Sequence, residues 1–272
     1  EVNPEASDLI RRTMTPYKTV RERYAFPFEL HSTQIAGVDE LCKYPRVGYF
    51  FETGAGKSSC STHQALFYKI QYNIQQWIIV MPPILLEQWD GWLRGVKDLK
   101  TGKPLSVTIY QGSPTQRAAL PLTTSFILMS PGMLKNDFEQ LHAIFEGKDL
   151  GVIVDEAHSI KNVASDTHKA VALMSENRPL MLLTGTPINK PMDAYAYIKL
   201  VAPGVYRNKR QFERMHVAEM DEWGAPKTWA NLDVLAENMK IHTGQLLLKD
   251  LRKDMEEPLF TTIRYKLAPA HM

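Results

Sequence analysis

Six short apolar runs recur along the first two thirds of the chain: VGYFF (47–51), WIIVM (77–81), SVTIY (106–110), SFILMS (125–130), LGVIVD (150–155) and PLMLLT (179–184). Helix-type patterns separate most of them, at 57–73, 84–93, 133–146, 165–175 and 192–201. A strand with one wet face alternates polar and apolar residues, whereas a strand covered on both faces is apolar throughout. The pattern therefore predicts an α/β fold with a mostly parallel central sheet and helices on both faces. Open sheets of this kind bind ligands beyond the carboxyl ends of their strands, so the polar residues just after each run are the candidate site.

After the first run comes GYFFETGAGKSSC (48–60). Glycines let backbone N–H groups curl around an anion, and a helix N-terminus adds favourable dipole charge. Thr53, Gly54, Ala55, Gly56, Lys57, Ser58 and Ser59 are the candidate phosphate-binding residues. Lys57 can reach β- and γ-phosphates, and the Ser58 hydroxyl can ligate Mg²⁺. Phe51 stands where the full phosphate-loop pattern has its first glycine. The alternative for this stretch alone is a glycine-rich turn with a surface lysine. GVIVDEAHSIKN (151–162) then puts Asp155 and Glu156 at the end of an apolar run. A carboxylate there can hold Mg²⁺, and its neighbour can orient and deprotonate an attacking water. Asp155 and Ser58 are thus the candidate metal ligands, and Glu156 with Lys57 the candidate catalytic pair.

At this point the residues carry a family resemblance. DEAH at 155–158 resembles the Walker B box of superfamily-two helicases and translocases, and further stretches resemble the Swi/Snf-related members in order. FELHSTQIAGVDEL (28–41) is similar to the segment upstream of the phosphate loop, which implies that Gln34 reads adenine through its side-chain amide. WIIVMPPILLEQWDGWL (77–93) resembles a motif whose strand end faces DNA, implying contacts from Pro82, Pro83 and Gln88. SFILMSPGMLKND (125–137) resembles the following motif, with Ser130-Pro131 where the family usually has a Thr-Tyr or Ser-Tyr pair. LMLLTGTPINKPMDAYAYIKLVAPGVY (180–206) resembles the motif that couples ATP state to DNA contacts. It implies coupling roles for Thr184, Gly185 and Thr186, with His158 linking them to the nucleotide site, and a nucleic-acid contact at Asn189. A structural hydrogen bond is the alternative for His158. Trp89 and Trp92, on one helical face, read as packing residues.

The resemblance covers roughly residues 28 to 267 and implies the first RecA-like lobe of a P-loop NTPase motor. Its ligands would be ATP and Mg²⁺. Its partners would be double-stranded DNA, contacted through the backbone, and a second RecA-like lobe supplying arginine fingers, worth on the order of 10³ to 10⁵ in rate in such enzymes. The division expected is an N-terminal extension (1–27), the ATP-binding lobe (28–203), a helical protrusion (204–257) and an exit strand or linker (258–272). Two other readings stay open. The ETGAGKS loop also resembles that of DEAH-type RNA helicases, although those have Ser-Ala-Thr in place of Thr-Gly-Thr-Pro. A non-motor nucleotide-binding module is the other.

Composition narrows the setting. The net charge of +2 leaves any basic surface local, the clusters being 11–23 and 207–214. Cys42 and Cys60 form no disulfide or metal framework and suit a reducing, intracellular compartment. No apolar run approaches the roughly 18 residues of a membrane span. The start without Met and the ending APAHM suggest a fragment, expected to be monomeric.

Overall fold

The computed structural model describes residues 14–251. In chain order the elements are α1 (Pro16–Arg23), β1 (Tyr24–Ala25), α2 (Ser32–Leu41), β2 (Arg46–Phe51), α3 (Lys57–Gln71), β3 (Gln76–Val80), α4 (Leu86–Gly95) and β4 (Lys97–Asp98). There follow β5 (Val107–Tyr110), α5 (Pro114–Ala118), β6 (Phe126–Met129), α6 (Pro131–Asn136), α7 (Phe138–Phe145), β7 (Leu150–Asp155), α8 (Asp166–Met174), β8 (Leu180–Leu183) and α9 (Pro191–Val201). The last are α10 (Lys209–His216), β9 (Val217–Met220), β10 (Pro226–Trp229), α11 (Leu232–Lys240), β11 (Thr243–Leu246) and α12 (Leu248–Leu251).

Seven strands form one sheet in the order β11-β2-β8-β7-β3-β6-β5, with every pairing parallel. Six of them are the six apolar runs, and both faces are covered. Side chains alternate across a strand, and the core divides accordingly. Val152, Val154, Leu180 and Leu182 join one cluster, packed with residues of α6, α7, α8 and α9. Ile153, Met181 and Leu183 join the other, packed with residues of α1, α2, α3 and α4. Burying each such aliphatic side chain contributes roughly 1.5–3 kcal/mol, so the two clusters fix the strand register and hence which strand ends lie side by side.

Two segments differ from the sequence expectation. The helix expected over 133–146 is two helices, broken at Asp137, whose backbone leaves the helical region (φ −107°, ψ 19°). The Asp137 carboxylate is engaged by the Arg117 guanidinium and the Tyr110 hydroxyl (2.8 Å). That buried ion pair holds Asp137 below the usual carboxylate range, with the Arg117 bond the main cause.

The expected helical protrusion contains its helices α10 and α11, but also an antiparallel β9–β10 hairpin and the strand β11. β11 does not protrude: it pairs with β2 from Thr243↔Gly48 to Leu246↔Phe51 and forms an edge of the main sheet. The strand or linker expected at 258–272, and residues 1–13 of the N-terminal extension, lie outside the described residues.

Candidate nucleotide site at the carboxyl edge of the sheet

β2, β8 and β7 are neighbours, in register through Tyr49↔Leu183 and Asp155↔Leu183. Their ends therefore bring the loop after β2, Thr184–Thr186 and Asp155-Glu156 to one edge, although Thr53 and Thr184 lie 131 residues apart in sequence.

The loop after β2 turns into α3 through Gly54 (φ +84°) and Gly56 (φ +81°), both in the left-handed region that side chains disfavour. A Cβ on Gly56 would also land on the Gln34 amide. α3 has 15 residues and no side-chain cap at its N-terminus. The first-turn N–H groups of such a helix lack intrahelical partners and carry the positive end of the helix dipole. The Ser59 hydroxyl, buried and without a partner among the described residues, belongs to the same turn. Lys57 Nζ folds back onto the carbonyls of Phe51 (3.1 Å) and Glu52 (3.4 Å). This cradle fits an anionic phosphate chain: uncapped donors, a glycine bend and one cation with replaceable partners.

Gln34 braces the cradle from outside. As the third residue of α2 it accepts the His31 N–H (2.7 Å) in a capping box, while its Nε2 donates to the Ala55 carbonyl (3.0 Å). Both ends of the amide are thus occupied, and the side chain sits against the phosphate loop. On the other flank, the Glu52 carboxylate accepts the Leu248 N–H (2.7 Å), and the Glu52 N–H donates to Leu246 (2.8 Å). Glu52 was not among the expected site residues; its partners lie almost 200 residues away.

Asp155 is only 6% exposed. Its Oδ2 accepts the Trp89 indole N–H (2.7 Å) and its Oδ1 accepts the Glu156 N–H (2.9 Å). Burial pushes the carboxyl above its ordinary pKa, while these two bonds and the Lys57 charge pull the other way. A partly desolvated carboxylate at the same sheet edge as the Ser58 turn suits a hard cation such as Mg²⁺. Glu156 adopts a left-handed backbone (φ 51°, ψ 51°), unusual for a non-glycine residue. Its Oε2 lies 3.1 Å from His158 Nδ1. His158 thus lies against the neighbouring carboxylate, and no hydrogen bond joins it to the Thr184–Thr186 loop among the described residues.

That loop meets the phosphate loop by packing. A Cβ on Gly185 would come within 3.0 Å of Thr53 Oγ1 and 3.3 Å of Thr53 N, so a larger residue would push the two loops apart by a few tenths of an ångström. Thr184 is buried, donates its N–H to Tyr49 (3.2 Å) and accepts the Thr186 N–H at its hydroxyl (3.2 Å). Asn189 is exposed; its N–H donates to Asp193 Oδ2 (3.0 Å), which also receives Lys190 N–H and Lys161 Nζ.

The expected nucleic-acid contacts lie farther along the same edge. Pro83 and Gln88 are exposed and Pro82 is half-buried, all around the start of α4. Ser130 caps α6, its hydroxyl accepting the Met133 N–H (3.2 Å). In the basic segment at 11–23, Arg21 pairs with Glu29 and Arg23 with Asp98. In 207–214, by contrast, Arg207, Arg210 and Arg214 are exposed, with no carboxylate paired to them among the described residues. Trp89, expected to pack, also donates its indole N–H to Asp155, a partner 66 residues away that helical spacing does not show.

Comparison with known proteins bears on the family and the fold. Residues 13–267 match the SNF2-related domain. The nuclear protein STH1/NPS1 of Saccharomyces cerevisiae is 23% identical over 76% of this chain and 16% of its own length. An uncharacterized ATP-dependent helicase of Mycoplasma pneumoniae is 25% identical over 81% of this chain and 20% of its own. The structure titled Sulfolobus solfataricus SWI2/SNF2 ATPase core in complex with dsDNA superposes with a TM-score of 0.65 at 19% identity, covering 83% of this chain and 46% of that one. The chain thus spans a fifth or less of these two relatives and under half of the solved core. Its sheet is that of a RecA-like lobe, no helix among the described residues is long and apolar enough to cross a membrane, and the chain belongs to the SNF2-related domain family.

Proposed function

We propose that this chain is the nucleotide-binding first lobe of a double-stranded-DNA-dependent ATPase that translocates on DNA inside the cell. The observation that carries the reading is the meeting, at one sheet edge, of an uncapped glycine-bent helix start, a buried carboxylate with an adjacent strained glutamate, and a Thr-Gly-Thr loop packed on the phosphate loop. Thr53 through Ser59 would hold the phosphates, with Lys57 leaving the Phe51 and Glu52 carbonyls for them. Ser58 and Asp155 would hold Mg²⁺, whose chemistry is to neutralise charge on the phosphate oxygens. Glu156 would orient a water and take its proton. Gln34 would shape the loop and, after giving up one present partner, read adenine.

Thr184, Gly185 and Thr186 would report nucleotide occupancy to the DNA-facing edge through the Gly185–Thr53 contact, and His158 would steady Glu156. Pro82, Pro83, Gln88, Ser130, Asn189 and the Arg207–Arg214 face would touch phosphate backbone, giving little sequence preference. A second RecA-like lobe would complete the site, and the 46% share of the solved SWI2/SNF2 core fits one lobe of two. The 272 residues alone would bind Mg-ATP weakly as a monomer and hydrolyse it slowly.

The test is ATPase activity of the full-length protein with double-stranded DNA, single-stranded DNA or RNA. Stimulation by duplex DNA supports the motor. RNA-only stimulation assigns a DEAH-type RNA helicase instead, and nucleotide binding without stimulated turnover assigns a binding module.

A further inference from the structure

Both residues assigned to the cation are braced from one helix. α4 carries Trp89, whose indole N–H donates to Asp155 Oδ2 at 2.7 Å. One turn further, the Trp92 N–H donates to Thr62 Oγ1 (3.0 Å), and that hydroxyl donates to the Ser58 carbonyl (2.7 Å). α4 also seats itself in the core through Leu86 and Leu93, so the two indoles have a fixed base. Trp89 is 2% exposed, and its N–H meets a buried carboxylate in a charge-assisted bond. With the Glu156 N–H on the other oxygen, both carboxylate oxygens have a donor and the group has little freedom to rotate.

We propose that α4 positions the cation-holding pair, Trp89 acting directly on Asp155 and Trp92 acting on Ser58 through Thr62. Trp89 and Trp92 are positioning residues: Trp89 fixes Asp155 through one hydrogen bond, and Trp92 steadies the Ser58 backbone through two, by way of Thr62. Groups that orient metal ligands in this way typically change metal affinity by about 10- to 100-fold when removed. The inference rests on the nucleotide reading above and adds to it a control on Mg²⁺ affinity from the helix that begins at the expected DNA-facing turn.

The test titrates Mg²⁺ into the full-length protein with the fluorescent nucleotide mant-ADP. Trp89→Phe should raise the half-saturating Mg²⁺ concentration about 10-fold. Binding of mant-ADP without Mg²⁺ should stay at the wild-type level. Trp92→Phe, acting through a carbonyl one bond further away, should raise it by a smaller factor, about two- to threefold. Replacing Trp89 with its benzothienyl isostere keeps the ring shape and removes only the N–H, so it should reproduce the Trp89→Phe shift even if phenylalanine disturbs packing. An unchanged Mg²⁺ dependence in the isostere overturns the proposal, and so does an equal loss with and without Mg²⁺. A wild-type protein that fails to bind mant-ADP with Mg²⁺ overturns the nucleotide reading and this inference together.

Discussion

Two cations sit at opposite ends of the same strand, β2, and they are bonded in opposite ways. At the amino end, the Arg46 guanidinium donates to the carbonyls of Leu200 (2.5 Å), Ser175 (2.6 Å) and Arg178 (3.1 Å) and to the Ser175 hydroxyl (3.2 Å). It is spent on two segments of chain, the end of α9 and the loop after α8, and burial lowers its pKa to about 10. It borders a cavity of about 770 Å³, yet its donors point into the fold. At the carboxyl end, Lys57 holds two loop carbonyls at 3.1 and 3.4 Å, beside uncapped helix donors. A saturated cation with fixed partners is structure; a loosely held one beside free donors is a binding group. That concavity therefore lies at the inert end, and the bonding pattern marks the end proposed to do the chemistry.

The contrast can be broken by substitution. The largest effect is expected at the chemical end. Glu156→Gln in the full-length protein should lower ATP hydrolysis about 10³-fold while leaving nucleotide binding and folding intact; turnover near the wild-type rate would remove Glu156 as the base. Arg46→Met should come next, costing about 3 kcal/mol of stability because several buried carbonyls lose their donor. Urea denaturation measures this, and the folded fraction should still bind nucleotide normally. A variant that stays stable but loses nucleotide would reverse the roles of the two ends.

A third probe lies on α3 itself, where His63 belongs to the structural class. It is fully buried, donates from Nδ1 to the Ser59 carbonyl (2.8 Å) and stacks on Phe26, and burial lowers its pKa to about 4. The unfolded imidazole takes its proton near pH 6.5, so the unfolded state gains protons first as pH falls. Stability should therefore drop between about pH 6.5 and 4, by on the order of 2 kcal/mol, and His63→Gln should flatten that slope. Denaturation curves at stepped pH check it. The smallest effect is expected for Lys57→Ala: about 10-fold weaker nucleotide binding, with a stability change within roughly 0.5 kcal/mol. A larger loss of stability would place Lys57 with Arg46.

The central sheet was legible because both-face burial leaves an unambiguous trace. LGVIVD is β7 residue for residue, and the glycine-bent loop before α3 needs small residues in sequence order. β11 left no such trace. Its sequence TGQL is short and mixed, because an edge strand is paired on one side only. Its Gly244 is needed for close approach to Leu41 and Phe51, which reads in sequence as a turn. The β9–β10 hairpin is largely exposed and so lacks an apolar pattern. The break at Asp137 depends on Arg117, 20 residues earlier, and the Trp89 bond on Asp155, 66 residues later. Helical spacing shows that Trp89 faces inward; it cannot show that a carboxylate waits there.

The strand β11 also sets a timetable. As the chain leaves the ribosome, β2 can acquire β8 on one side once residue 183 has emerged, but its other side stays an open strand edge until residue 246 follows. An unpaired edge flanked by Tyr49, Phe50 and Phe51 invites pairing with another chain. Glu52, at the mouth of the phosphate loop, likewise waits for Leu246 and Leu248 before its own hydrogen bonds can form. The last described part of the chain to be synthesised is thus the part that closes the first strand of the sheet. A shortened chain ending before residue 243 would carry every nucleotide-binding residue named above and still be prone to aggregate.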